Sequence, residues 1–139
     1  MAAALGLSGG CGSIAGTSTV AMVSGRDDHG QLQHRALGLQ RSPTDSTITG
    51  TVEDGTFVRV TRRDGPWAHV VSAGSADEGW IQDHYLRGEA VRIDPAPPRR
   101  VTFLDLERRD AAVFVRVRFA DDGTEDWIPA ASLREVGAR

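Results

Sequence analysis

Lysine is absent from this 139-residue chain, and all 16 of its basic side chains are arginine. Set against 19 acidic residues they leave a formal net charge of -3. A nucleic-acid surface needs a clustered basic field to neutralise phosphates, so this balance argues against one. Cysteine is almost absent too: Cys11 stands alone, which excludes an internal disulfide. Catalytic signatures are missing as well. There is no phosphate-cradling glycine loop and no His-Glu-x-x-His, and no base stands beside Cys11. The chain therefore reads as non-catalytic, with no cofactor. At this length it has room for one domain or two very small ones, and its 40% hydrophobic and 25% charged content is that of a folded protein.

Charge is also missing from residues 1–23, and it begins abruptly at Arg26-Asp27-Asp28. Ten of those 23 residues are Gly, Ser or Thr, which makes the run too polar for a transmembrane helix. Leu5-Gly6-Leu7-Ser8-Gly9-Gly10-Cys11-Gly12 puts small residues around the lone cysteine, and a Gly/Ser/Ala/Thr spacer follows to Thr19. The run resembles the end of a bacterial lipoprotein signal peptide, with Cys11 as the lipidated residue and a disordered tether after it. It departs from that pattern at Ser8, where leucine is usual, and in lacking a basic n-region, which an initiator upstream of Met1 would explain. The alternative is a disordered cytoplasmic N-terminus with an incidental thiol.

Residues 24–34 form a connector. Asp27, Asp28 and His29 are metal-ligand types, but neighbouring side chains in an extended segment point to opposite faces, and only His34 stands near enough to add. A solvated turn capped by an aspartate next to Gly30 is the expectation, with no metal.

From residue 35 the chain reads as strands and turns. Leu37 and Leu39 alternate, and Ser42-Pro43-Thr44-Asp45-Ser46 turns the chain. Asp54-Gly55 is a turn dipeptide. Thr56, Val58 and Val60 lie on one face of the next strand, with Phe57, Arg59 and Thr61 on the other. Arg63-Asp64-Gly65 makes another hairpin turn, Ser72 to Glu78 a longer polar loop, and Gln82-Asp83-His84 a single helical turn. In order and spacing, Leu39-x-Arg41-Ser42, Ile48-x-Gly50, Asp54-Gly55-Thr56, Val58-x-Val60, Trp67-x-x-Val70, Gly79-Trp80-Ile81 and Tyr85-Leu86 resemble the bacterial SH3-like (SH3b) domains of secreted and envelope proteins. The resemblance covers about fifty residues and implies a small all-β barrel over residues 35–93. It also implies a peptide groove lined by Trp80, Tyr85, Phe57 and Trp67. The same tryptophans are large enough to serve as core. Core is the reading that suits Trp67 best, and Tyr85 fits either role. His69 and His84 are expected at the surface or a strand edge.

Asp94-Pro95-Ala96-Pro97-Pro98 reads as a stiff linker. Beyond it, residues 99–139 carry a second β pattern. Val101 to Leu104 forms one strand, and Val113, Val115, Val117 and Phe119 alternate with Phe114, Arg116 and Arg118 in another. Asp121-Asp122-Gly123 turns, Trp127-Ile128-Pro129 returns, and Ala130-Ala131-Ser132 makes a short helical turn before Leu133. The order Trp-Ile, short turn, Leu repeats that of Trp80 to Leu86. A second, smaller SH3-like β unit is expected, without an equivalent of Trp67.

The resemblance implies a binding protein of the actinobacterial-type cell envelope, lipid-anchored through Cys11 on the outer face of the cytoplasmic membrane, that recognises peptidoglycan peptide or an envelope protein. The alternative is a cytoplasmic interaction barrel of Tudor-like type that reads a protein tail through an aromatic cage.

Overall fold

The structure is a computed structural model and describes residues 19–137. Cys11 and the lipidation expected there lie outside the described residues. Twelve strands and two 3₁₀ turns make up the described chain, with no α-helix among them, and no helix is long and apolar enough to cross a membrane. In chain order the strands are β1 (Val20–Val23), β2 (Ala36–Ser42), β3 (Asp45–Glu53), β4 (Phe57–Asp64), β5 (Trp67–Ser72), β6 (Glu78–Gln82), β7 (Leu86–Arg87), β8 (Glu89–Arg92), β9 (Arg99–Arg109), β10 (Ala112–Phe119), β11 (Glu125–Pro129) and β12 (Leu133–Arg134). Asp83–Tyr85 and Ala130–Ser132 are the 3₁₀ turns. A seven-stranded sheet has the order β3-β2-β6-β5-β4-β1-β7, and a five-stranded sheet the order β11-β10-β9-β8-β12. The all-β expectation, a small barrel followed by a smaller β unit, is met.

The two units repeat one another strand for strand. In the first, β1 pairs with β4, then β5 and β6 follow as a meander, and the 3₁₀ turn delivers β7 back onto β1. In the second, β8, β9, β10, β11 and β12 take the same five places. The correspondence extends to register. Ala21↔Val58 is matched by Ala90↔Val101, His69↔Trp80 by Arg116↔Trp127, and Val23↔Leu86 by Arg92↔Leu133. A bulge falls between Val60 and Arg62 in one unit and between Phe103 and Asp105 in the other. Both core leucines leave their 3₁₀ turns with nearly the same backbone, φ -110 and ψ 140 at Leu86 against φ -110 and ψ 141 at Leu133. The register also supplies the equivalent of Trp67 that sequence left out: Phe114 pairs with Pro129 as Trp67 pairs with Gln82.

Two boundaries differ from those read in the sequence. Val20–Val23, expected as the end of the tether, is a strand buried along its whole length. Ala21 and Val23 enter the first core with Leu39, Val58, Val70, Ile81 and Leu86. Val20 and Met22 enter the second with Phe103, Val117, Phe119, Ile128 and Leu133. Successive side chains of a strand point to opposite faces, so β1 serves both cores at once. The other boundary lies at Gly88. Glu89–Arg92 pairs with β9 and β12 and belongs to the second unit, which therefore begins before the proline-rich linker.

What separates the units is an insertion. Residues 93–98 join β8 to β9, whereas residues 24–56 intervene between β1 and β4 and carry the β2–β3 hairpin. That hairpin closes the first core with Leu39 and meets β6 at Gln40↔Trp80. The approach is close at Gly79, where an added Cβ would lie 2.6 Å from Thr49 Oγ1, 2.7 Å from Leu39 Cβ and 2.9 Å from the Gln40 carbonyl oxygen. Glycine is what lets two backbones come this near. The second unit has Asp126 at the corresponding place on β11, and its edge carries no hairpin.

Candidate functional site

The four aromatic residues expected to line one groove are distributed over four environments. Phe57 is only 3% exposed and packs edge-on against Phe103, with ring centroids 5.0 Å apart. It is core between the units and not a groove residue, because β4 leaves no solvent face at that end: Val58 fills the first barrel and Phe57 the second. Trp80 is 9% exposed. Its ring lies on the face of β6 opposite Ile81, with the Arg62 guanidinium 5.3 Å from its centroid and the His69 ring edge-on at 5.5 Å. Trp67 is half-buried at the start of β5, opposite Gln82.

Tyr85 is the one that reaches solvent beside other rings. The 3₁₀ turn presents it half-buried, packed against the first core, with the exposed His84 ring 4.0 Å away and His34 edge-on at 6.2 Å. Three further bonds fix this corner. The Tyr85 carbonyl accepts from Ser24 N at 2.7 Å, the His84 carbonyl from Arg87 Nη1 at 2.6 Å, and His84 Nε2 lies 2.7 Å from Gln82 Oε1. The sequence pointed to Tyr85 through its place after Trp80-Ile81, but not to His34, which the 24–35 loop carries in from fifty residues away.

His69 is held below the ordinary histidine range by its burial, reinforced by Arg62 and opposed by Glu78. Its Nδ1 lies 2.6 Å from Thr61 Oγ1. A depressed folded-state value means that the unfolded chain binds the proton more readily. Stability is then complete above about pH 6.5, the unfolded value, and falls as pH drops through the folded one. Thermal unfolding between pH 7.5 and 5 should show this decline in the native chain and a shallower one in His69→Gln.

The connector's acidic pair takes the expected turn. Asp27 Oδ1 accepts from His29 N at 2.9 Å and Gln31 N at 3.0 Å, and Oδ2 accepts from Gln33 Nε2 at 3.0 Å. The Gln31 and His29 amides hold this carboxyl below its usual range. Among the described residues no group of three or more His, Cys, Asp or Glu side chains is placed to hold a metal ion.

A polar seam between the units was not legible beforehand. Ser24, fully buried, donates from Oγ to Glu135 Oε2 at 2.8 Å, and Arg87 Nε stands 3.5 Å from the same oxygen. Alongside, Arg26 Nε pairs with Asp54 Oδ2 at 3.3 Å, and Asp54 Oδ1 accepts from Gly25 N at 2.9 Å. Ser24 and Glu135 are 111 residues apart, so no local pattern could have joined them. Cavities of 260, 350 and 540 Å³ open along this seam, all bordered by Glu135.

The class these features define is an all-β protein of two repeated small β units whose cores are both filled by β1, with a solvent-facing aromatic corner on the first and a charged seam between them. Compared with known proteins, the chain matches no family model, and no curated protein or solved structure matches it.

Proposed function

We propose that this chain is a non-catalytic binding module of the bacterial cell envelope, SH3b-like in kind, lipid-anchored at Cys11 and recognising peptidoglycan peptide or an envelope protein. The observation that carries this reading is the Tyr85–His84–His34 corner: two rings on a turn pinned by Ser24 and Arg87, with a third brought against Tyr85 by the 24–35 loop. Aromatic groups held rigidly at a solvent boundary are the usual anchors of peptide recognition, since they bury large area at little conformational cost. The burial of β1 adds a constraint. Only residues 12–19 separate Cys11 from the barrel, a reach of about 28 Å at full extension. The module is thus held close to the membrane face, and the anchor's effective concentration lets weak contacts suffice.

Cosedimentation of residues 12–139 with purified peptidoglycan sacculi tests this. Saturable binding is expected, weakened roughly tenfold in Tyr85→Ala with the unfolding temperature little changed. Absence of binding, or binding indifferent to Tyr85, overturns wall recognition at this corner.

A further inference from the structure

β11 ends the five-stranded sheet, and no described strand lies beyond it. The phase of its ladder is set at the hairpin turn, where Phe119 N donates to the Thr124 carbonyl at 2.8 Å. Opposed residues of an antiparallel pair alternate between exchanging both backbone bonds and exchanging none. Val117↔Asp126 and Val115↔Ile128 are therefore bonded pairs, whereas Arg116↔Trp127 and Phe114↔Pro129 are not. The N–H and C=O of Trp127 thus point away from β10, toward the open edge.

In the first unit that place is filled by another strand, because Trp80 meets Gln40 of β2. In the second, the Trp127 N–H donates to Oδ1 of Asp126 at 2.8 Å. A side chain of the edge strand itself takes the donor that an incoming strand would use. Two further features act in the same direction. Pro129, the next outward position, has no N–H to give. Asp126 stands, exposed, where the first unit has Gly79. At Gly79 even a bare Cβ would come within 2.7 Å of Leu39 Cβ and 2.9 Å of the Gln40 carbonyl oxygen. A strand laid on β11 as β2 lies on β6 would meet the whole Asp126 side chain. The outermost strand of the larger sheet uses the same device: Thr51 N of β3 donates to Asp77 Oδ2 at 3.2 Å.

From this arrangement we infer that Asp126 is a guard residue, whose carboxylate and bulk together bar β11 of one molecule from pairing with β11 of another. An uncovered strand edge is a template for a further strand, and every copy of the chain presents the same one. Two-fold pairing of this edge sets Trp127 opposite Trp127, each giving its N–H to the other's carbonyl. Glu125 N then faces the Pro129 carbonyl on either side. The Asp126 carboxylate holds the central donors of that pairing. This role does not depend on what the Tyr85 corner binds.

The test is sedimentation velocity from micromolar to millimolar chain, for the native sequence and for Asp126→Asn, Asp126→Ala and Asp126→Gly. The native chain and Asp126→Asn, whose amide oxygen still accepts the Trp127 N–H, should stay monomeric. Asp126→Gly should form dimers, with self-association at least about tenfold tighter than that of the native chain once the central hydrogen bonds are released. Asp126→Ala, which keeps the Cβ and loses the carboxylate, should fall between them. Hydrogen exchange at the Trp127 amide should slow as the dimer forms. Calorimetry checks that each variant is folded, and should Asp126→Gly unfold, Asp126→Ala decides the matter. A native chain that dimerises through β11 would overturn the inference, as would folded Gly and Ala variants that remain monomeric. So would Asp126→Asn dimers as strong as those of Asp126→Gly, or association that leaves Trp127 exchange unchanged.

Discussion

A chain that begins at Ser24 should show no cooperative unfolding transition in either unit. Such a truncation leaves every residue of the recognisable barrel in place, yet it removes β1. Val20, Ala21 and Val23 are wholly buried and Met22 is 2% exposed. Burying a side chain of the size of Val or Met contributes about 1.5–3 kcal/mol. Three of them, with the ladders to β4 and β7, account for about 5–9 kcal/mol, comparable with the entire stability of a small protein. The loss falls on both cores, since Ala21 and Val23 belong to one and Val20 and Met22 to the other. Calorimetry of residues 24–139 beside residues 12–139 reads the result. A retained transition in the shorter chain would show that β1 is dispensable. Single changes separate the faces: Ala21→Glu should unfold the first unit foremost, and Met22→Glu the second, with NMR following each.

Phe57→Ala is expected to cost about 3–5 kcal/mol, the range for deleting a buried aromatic ring. The contact with Phe103 joins the two units, so the loss should also appear as a parting of their denaturant transitions. A double-mutant cycle with Phe103→Ala isolates the ring pair, for which a coupling of about 0.5–1.5 kcal/mol is expected. Tyr85→Ala provides the contrast, with less than about 1 kcal/mol at a half-exposed site on the turn. Were Phe57 a groove residue, its removal would weaken binding and spare stability; the burial of its ring calls for the reverse. A cost below about 1 kcal/mol would contradict the shared core.

Much of the fold was legible because most strands here have one wet face. Val113 to Phe119 alternates, and Val115, Val117 and Phe119 point inward while Arg116 and Arg118 stay exposed. Gly65 and Gly123 mark turns at positive φ, and each Trp-Ile strand announces the 3₁₀ turn after it. The misreadings have one cause. Alternation presumes a dry face and a wet face, and a strand buried on both sides has neither. Val20-Ala21-Met22-Val23 shows no period and follows a run of small residues, so it passed for tether. Phe57, on the second face of β4, passed for surface. The seam escaped for another reason: Ser24, Asp54, Arg87 and Glu135 come from four distant parts of the chain, and only the stacking of the two units brings them together.

The position of β1 in both cores bears on how the polypeptide is made. During synthesis β1 is among the first described segments to leave the ribosome. Its neighbours follow late, β4 from residue 57 and β7 from residue 86, and the second core is closed only by Leu133. An early-made strand of four apolar residues therefore waits for β4 to find its first partner, and until Leu133 for its second core to close. Domains usually fold one after another as they emerge, but here completion of the first unit leaves Val20, Met22 and Phe57 uncovered until the second arrives. Neither half can be passed intact to another protein by cutting between Arg87 and Glu89, because the side chains of β1 fill both cores.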